Sequence, residues 1–334
     1  MFGSVLCYVA LRLLGAEKDD EACIKACRFI RKNGGALYTS SWAKFGLCLL
    51  GVMDWKGHNP VPPEFFLLPN WFPFHPGRMW CHARMVYLPM SVLYGNRVVY
   101  EHAETDPVTR SLREELYVEK YDQIEWTRTR HWIADMDNYS PIGTFMRKAQ
   151  DLMMYYETYG GFVKRFLRKR GVRFAMEYIR AEDRQTNFVD IGPVNKVYNM
   201  LCVYVAEGRN NRHPDFLRHS GRIRDYLWVA EDGMKMQGYN GSQTWDTSFA
   251  IQAVVESGLA ERFPEVIRGA WKFLEKNQIL STNVSQSTDA YTYESPEQRN
   301  RYYRHVSEGG WPFSNSAHGW PISDCTCRMI RALT

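Results

Sequence analysis

Asp20-Glu21-Ala22-Cys23-Ile24-Lys25-Ala26-Cys27-Arg28-Phe29-Ile30-Arg31-Lys32-Asn33-Gly34-Gly35 decides the fold class. Ala22, Cys23, Ala26, Cys27 and Ile30 recur three and four residues apart, so they share one face of a helix, and Gly34-Gly35 stops it. The same signature recurs along the chain. Residues 2–14 are largely apolar and stop at Gly15. Ser40-Ser41 precedes a run from Trp42 to Met53, and Asp106-Pro107 opens one through Leu116. A long run, 143–159, ends at Gly160-Gly161. Residues 172–181, 195–206, 215–228, 246–258, 264–277 and 324–333 read the same way. Asn59-Pro60-Val61-Pro62-Pro63 and the stretch from Pro73 to Gly77 are breakers. Few stretches show the strict alternation of a half-buried strand. The expected class is all-α, with helix pairs joined by Gly- and Pro-rich turns. Such pairs stack as a solenoid or close as an α/α barrel, and the pattern leaves both open. The polar, turn-prone segment 183–193 is the expected boundary between two helical arrays.

Aromatic residues stand out, with 11 Trp, 20 Tyr and 17 Phe among 334 residues, enough to fill cores between helices or to line an apolar cavity. The net charge of +5 is spread through the chain. Its densest basic run, Lys164-Arg165-Phe166-Leu167-Arg168-Lys169-Arg170, reads as a solvated helix face or as a contact for anionic headgroups. No nucleic-acid-binding motif accompanies it, so nucleic acid is not an expected partner. The cysteines lack paired C-x-x-C knuckles, and no secretory signal precedes them, so they are expected as reduced thiols and no metal site is expected. No apolar run reaches the 18–20 residues of a spanning helix. The strongest shorter patch, Val86 to Tyr94, is a candidate membrane contact.

Three segments carry candidate chemistry. Asp324-Cys325-Thr326 sets an acid beside a thiol and a hydroxyl, behind Gly309-Gly310-Trp311-Pro312-Phe313-Ser314 and His318-Gly319-Trp320-Pro321-Ile322-Ser323. Asp324 is either a residue of a helix's first turn or a general acid. Hydrogen bonds from Cys325 or Thr326 would favour its ionised form, and an apolar surround its protonated form. In Gly238-Tyr239-Asn240-Gly241-Ser242-Gln243-Thr244-Trp245-Asp246-Thr247, Trp245 is either a core residue or a π-face for a cation. In Trp80-Cys81-His82-Ala83-Arg84-Met85-Val86-Tyr87, His82 is a ligand, a base or a satisfied core histidine. The adjacent Cys81 is expected to point elsewhere. Phosphate loops and nucleophile elbows are absent.

Together these segments resemble the oxidosqualene cyclases. The likeness runs over nearly the whole chain, from Met1-Phe2-Gly3-Ser4-Val5-Leu6 to Asp324-Cys325-Thr326. It is most specific at His75-Pro76-Gly77-Arg78-Met79-Trp80-Cys81-His82, Tyr87-Leu88-Pro89-Met90-Ser91, Ile191-Gly192-Pro193-Val194-Asn195-Lys196-Val197 and Asp232 to Gln243. The resemblance implies two α/α barrel domains, both incomplete here: a partial inserted barrel over 1–185, and the first part of the catalytic barrel over 186–334. It implies a monotopic enzyme of the endoplasmic reticulum or lipid droplets that cyclises (3S)-2,3-oxidosqualene without metal or organic cofactor. Asp324 matches the acid that protonates the epoxide, and Cys325 a thiol that hydrogen-bonds it. Trp245 and Phe313 match rings that stabilise cations, and Trp80, His82 and Tyr87 match cavity and channel residues. Tyr239, His318 and Ile322 match the residues of cycloartenol-forming members, with lanosterol the second product expected and a pentacyclic product the third. The Gly309–Trp320 run resembles one of the family's Gln-Trp ties without its glutamine.

The chain departs from the family at two places. The motif Asp-Cys-Thr-Ala-Glu continues here as Cys327-Arg328, and Ala83 replaces a cysteine. A cation at Arg328 would favour the carboxylate of Asp324. These 334 residues are expected to lack part of the catalytic barrel and to be inactive alone. The rival reading is a non-enzymatic helical-repeat fragment that binds lipid or protein.

Overall fold

The computed structural model describes residues 1–238, 241–280, 295–304, 308–318 and 320–333. Along the chain these form α1 (Phe2–Leu13), α2 (Glu21–Lys32), α3 (Ser41–Leu49), α4 (Cys81–Gly95), α5 (Pro107–Glu115), α6 (Thr144–Tyr159) and α7 (Gly161–Gln185). There follow α8 (Pro193–Ala206), α9 (Pro214–Arg222), β1 (Leu227–Ala230), β2 (Gly233–Met236), α10 (Gln243–Glu256), α11 (Pro264–Asn277), α12 (Pro296–Arg301) and α13 (Ser323–Leu333). Among the described residues the fold is all-α apart from one small hairpin. The chain packs as two compact units, each discontinuous in sequence: Met1–Val61 with Tyr94–Leu167, and Pro62–Leu93 with Arg168–Thr334. Residues 185 and 186 both fall in the second.

In the first unit, Cys23 and Ile30 of α2 are buried as their spacing requires, with Val5, Tyr8 and Val9 of α1 and Phe45, Leu47 and Cys48 of α3. Asp106 caps α5 by accepting from the Thr109 N–H at 2.7 Å, so the Asp-Pro start is a built helix entry. Gly35 is required: its φ is 78°, and a Cβ there would lie 2.8 Å from the Leu116 carbonyl oxygen. Lys44 is buried, donating to the carbonyls of Thr129 (2.7 Å) and Trp132 (2.8 Å), and desolvation brings its pKa down to about 7. Phe145, Leu152, Tyr155 and Tyr159 share one open face of α6, and Phe162 and Phe166 at the start of α7 are open too, all of them 51% to 74% exposed.

In the second unit, α4 contains Pro89. Proline has no N–H, so the carbonyl of Met85, four residues back, loses its helical partner. Asn195 of α8 supplies the replacement, donating from Nδ2 to Met85 O at 2.8 Å. Val86, Leu88, Met90, Val92 and Leu93 are buried, so the expected membrane patch is helix core. The run 215–228 is not one helix. It ends at Arg222, and Leu227–Ala230 pairs antiparallel with Gly233–Met236, Leu227 opposite Met236. The helix expected over 172–181 begins instead at Gly161, directly after α6, because the chain re-enters helix there through a φ of 50°. The segment 183–193 is almost wholly buried.

Candidate active site

α13 starts where the chain leaves Pro321 and Ile322 and returns to helical backbone, behind the run that begins at Gly309. Trp311 fastens this run. Its indole N–H donates to the Leu274 carbonyl at the end of α11 (2.8 Å), and its main-chain N–H donates to Thr326 Oγ1 on α13 (3.1 Å). Trp311 shares a core with Ile251 of α10, Leu274 of α11 and Met329 of α13. The start of α10 is tied to the same run. The N–H groups of Thr244 and Trp245 donate to the Phe313 carbonyl at 3.0 and 3.2 Å, which uses donors that a helix start leaves free. The Trp245 and Phe313 rings therefore meet, with centroids 5.4 Å apart.

A cavity of about 930 Å³ opens beside them. Trp80, His82, Phe313, Ile322 and Asp324 all line it, with Tyr303 and Glu308. Arg84 donates to the carbonyls of Gly77 (3.1 Å) and Met79 (3.3 Å), and so holds the loop that presents Trp80. Trp80 lies 4.6 Å from the His82 ring, centroid to centroid, and stays 69% exposed. A second cavity of about 340 Å³ is lined by Trp245, Asp324, Cys327, Arg328 and Arg331. Asp324 stands at both.

The other expected site residues fall as follows. Asp324 is exposed in the first turn of α13. Cys325 is buried, and no hydrogen bond joins its thiol to Asp324 among the described residues, because successive helical side chains diverge. Burial first, then the charge of Asp324, pushes the Cys325 thiol up to about 12. Thr326 is turned away, accepting from the Trp311 N–H. Arg328 lies over the Phe249 ring at 5.1 Å, and no ion pair joins it to Asp324 among the described residues. Tyr87 is half-buried on α4 and is not part of either cavity wall. His318 is buried behind the wall, and desolvation lowers its pKa to about 4, so the ring is neutral. Burial also lowers the pKa of His82. The Cys81 thiol and His82 Nδ1 lie 3.6 Å apart, closer than adjacent helical positions suggested, since Cys81 is the first residue of α4. Tyr239 lies outside the described residues.

One cluster went unread in the sequence. Glu182, Asp183, Asp190, Asn195, Lys196, Asn199 and His219 are all buried together. Glu182 accepts from Asn195 (3.2 Å), Asn199 (3.0 Å) and the Ile191 N–H (3.1 Å). Desolvation, then the charge of Asp190, raises its pKa to about 8. Asp183, Asp190 and His219 bring three ligand-type atoms within 4.8 Å of one another. The Lys196 ammonium, 2.8 Å from His219 Nδ1 and 3.8 Å from Asp190 Oδ2, takes the position a cation would hold. A signal for this cluster exists: Glu182 follows Ala175, Tyr178 and Ile179 at helical spacing, on the face they bury.

The first 232 residues match the family model described as the squalene-hopene cyclase N-terminal domain. The chain is similar to cycloartenol synthase of Dictyostelium discoideum, 43% identical over 99% of this chain and 44% of that protein. It is similar to lanosterol synthase of Mus musculus, 41% identical over all of this chain and 43% of the relative. Alpha-onocerin synthase of Lycopodium clavatum is 36% identical over all of this chain and 42% of its own length. The chain thus spans less than half the length of these curated relatives. On a domain match covering most of its residues, and on a site that gathers Trp80, His82, Phe313 and Asp324 at one cavity, the chain belongs to the oxidosqualene cyclase family.

Proposed function

We propose that the protein containing this chain cyclises 2,3-oxidosqualene to a triterpene alcohol, with Asp324 as the acid. The carrying observation is a carboxylic acid and aromatic rings on the walls of one roomy cavity. Its volume of about 930 Å³ sits at the upper end of ligand pockets, which run to about 1,000 Å³. Asp324 gives its proton to the epoxide oxygen and a C–O bond breaks. The alkene π-electrons then close rings in succession. Phe313 on this cavity and Trp245 on the neighbouring one present ring faces to the cationic centres, each contact contributing about 2 kcal/mol when water is excluded. His82 and His318 are neutral imidazoles near the end of the path. Deprotonation finishes the reaction, and cycloartenol is the product we favour on Tyr239, His318 and Ile322. The likeness to lanosterol synthases makes lanosterol the second reading.

The open apolar side chains between Phe145 and Phe166 support association with a membrane surface, as on the endoplasmic reticulum or a lipid droplet. Arg147, Lys148 and Arg165 are exposed beside them, with Lys164 partly so, and aromatic residues beside cations suit the headgroup region. Among the described residues no helix is long and apolar enough to cross a membrane. The activity is tested by incubating the purified full-length protein with oxidosqualene in detergent and identifying sterols by mass spectrometry. Product that disappears in Asp324→Asn supports the reading. A wild type that leaves oxidosqualene intact overturns it.

A further inference from the structure

Tyr303 stands where helix chemistry favours glycine. α12 ends in a Schellman cap: the Arg304 N–H donates to the Arg299 carbonyl at 2.9 Å, and the Tyr303 N–H to the Asn300 carbonyl at 3.4 Å. The residue at that turn has to be left-handed, and Tyr303 is, with a φ of 57°. Glycine enters this region freely, whereas a side chain there crowds its own backbone. A bulky residue at positive φ is an outlier. The sequence nonetheless places Tyr303 there, between Tyr302 and Arg304, which are both buried.

The surroundings are shaped to receive the ring. The His75 ring stands edge-on to it, with centroids 4.5 Å apart. His75 is buried and held, since its Nδ1 accepts from the Gly77 N–H at 3.0 Å. Gly77 leaves the space: a Cβ there would lie 3.0 Å from Tyr303 Cγ and 2.9 Å from His75 Nδ1. The Tyr303 hydroxyl donates to the Phe66 carbonyl at 3.4 Å. Tyr303 and Gly77 line the large cavity with Trp80, His82, Phe313 and Asp324, and Phe66 does not. The polar end of the side chain is therefore engaged outside the cavity, and the ring is what the cavity receives. Strained backbone kept at a cavity wall points to a use for the side chain it carries.

We infer that Tyr303 is a further specificity-determining residue of the chamber: its ring is a wall against which the folded hydrocarbon chain packs, and its left-handed backbone aims the ring past Gly77. The inference rests on the cyclase reading above. Tyr303 makes and breaks no bond in the reaction. It narrows the conformers in which the alkenes of the substrate meet. With the ring removed, the chain folds in more ways, and the cations formed from those conformers end in other products.

The test is the product mixture that the full-length protein forms from oxidosqualene, read by gas chromatography and mass spectrometry, with a circular-dichroism melt of each variant. Tyr303→Leu removes the ring and Tyr303→Phe keeps it. Gly77→Ala leaves Tyr303 in place and presses a methyl group against it. The minor-product fraction should rise roughly fivefold in Tyr303→Leu, the change in partition that about 1 kcal/mol of lost contact produces. It should rise less in Gly77→Ala, and in Tyr303→Phe it should stay within about twofold of wild type. A tyrosine that only packs would lower the melting temperature and leave the mixture made by the folded protein as it was. An unchanged mixture in Tyr303→Leu and Gly77→Ala therefore overturns the inference and leaves the cyclase reading standing. Where Tyr303→Leu does not fold, Gly77→Ala alone decides. A change in Tyr303→Phe as large as in Tyr303→Leu also overturns the inference, since the hydroxyl and not the ring would then meet the substrate. A wild type that forms no cyclic product overturns the cyclase reading and this inference with it.

Discussion

Replacing Glu182 by Gln should change the pH dependence of stability more than stability itself. Glu182 is wholly buried, and its pKa rises from the usual 4.5 to about 8, chiefly by desolvation and secondly through Asp190. The folded protein therefore keeps a proton that the unfolded chain has released. Stability from this group is fully present below about 4.5 and is lost as pH rises through about 8. At 1.36 kcal/mol per unit the whole loss is about 5 kcal/mol, of which about 4 kcal/mol falls between pH 5 and 9. Glutamine cannot titrate. Its amide also donates where the carboxylate accepted from Asn195 and Asn199, which adds an offset that does not vary with pH. His219 and His318 have pKa values lowered to about 4, so their contribution has the opposite sign and is lost as pH falls from about 6.5. Both histidines are present in both proteins, whereas Asp183 and Asp190, whose pKa values burial raises to about 7, titrate in the same range and respond to the charge at Glu182, so the difference reads the carboxylate cluster as a unit. The assay is urea unfolding of wild type and Glu182→Gln at pH 5 and pH 9, followed by tryptophan fluorescence. The wild type should lose stability relative to the variant across that range, by about 4 kcal/mol at most. Equal differences at the two pH values would refute the reasoning, and would mean that the carboxylate is charged in the fold and satisfied by its three donors.

Other outcomes follow from particular contacts. Trp245→Leu removes a π-face worth about 2 kcal/mol, and cyclisation by the full-length protein should slow by roughly 30-fold with little change in substrate affinity, read from kcat and KM. Iodoacetamide at pH 8 should label the exposed Cys327 well before the buried Cys325, whose thiol is pushed up to about 12; mass spectrometry after brief labelling reads the order. Tyr159→Glu with Phe162→Glu should weaken binding to vesicles containing phosphatidylserine by more than tenfold, since each change removes exposed apolar area and adds a repelled charge. Sedimentation with the vesicles measures it, and unchanged binding would move the membrane contact elsewhere.

Much of the fold was legible because helical spacing survives wherever one face is buried. The run 264–277 is α11 to the residue, and Cys23 and Ile30 are core as their spacing required. Three elements were not legible for physical reasons. Pro89 masked α4, since the compensating bond comes from Asn195, 106 positions later, and no local pattern records it. The hairpin over 227–236 is mostly exposed on both strands, so it has no alternation to read. Gly160-Gly161 reads as a stop, yet the chain leaves one helix and enters the next there without a loop. At the site, the resemblance named Trp80, His82, Phe313, Ile322 and Asp324, and they share a cavity wall. The expected bond from Cys325 to Asp324 does not form, because neighbouring helical positions point apart. The Glu182–Lys196–His219 cluster was passed over because charged residues in a Gly- and Pro-flanked segment read as solvated turn. Only the apolar face of α7 before it, at Ala175, Tyr178 and Ile179, marks Glu182 as inward.

The central claim is that the cavity walled by Trp80, His82, Phe313 and Asp324 is the cyclisation chamber. The most direct measurement is a structure of the full-length protein with a non-cyclising analogue of 2,3-oxidosqualene that keeps the oxygen. The account predicts the ligand oxygen within about 3 Å of an Asp324 carboxyl oxygen, with the hydrocarbon chain running past Phe313 toward His82. An analogue bound elsewhere, with Asp324 facing only solvent, would contradict it.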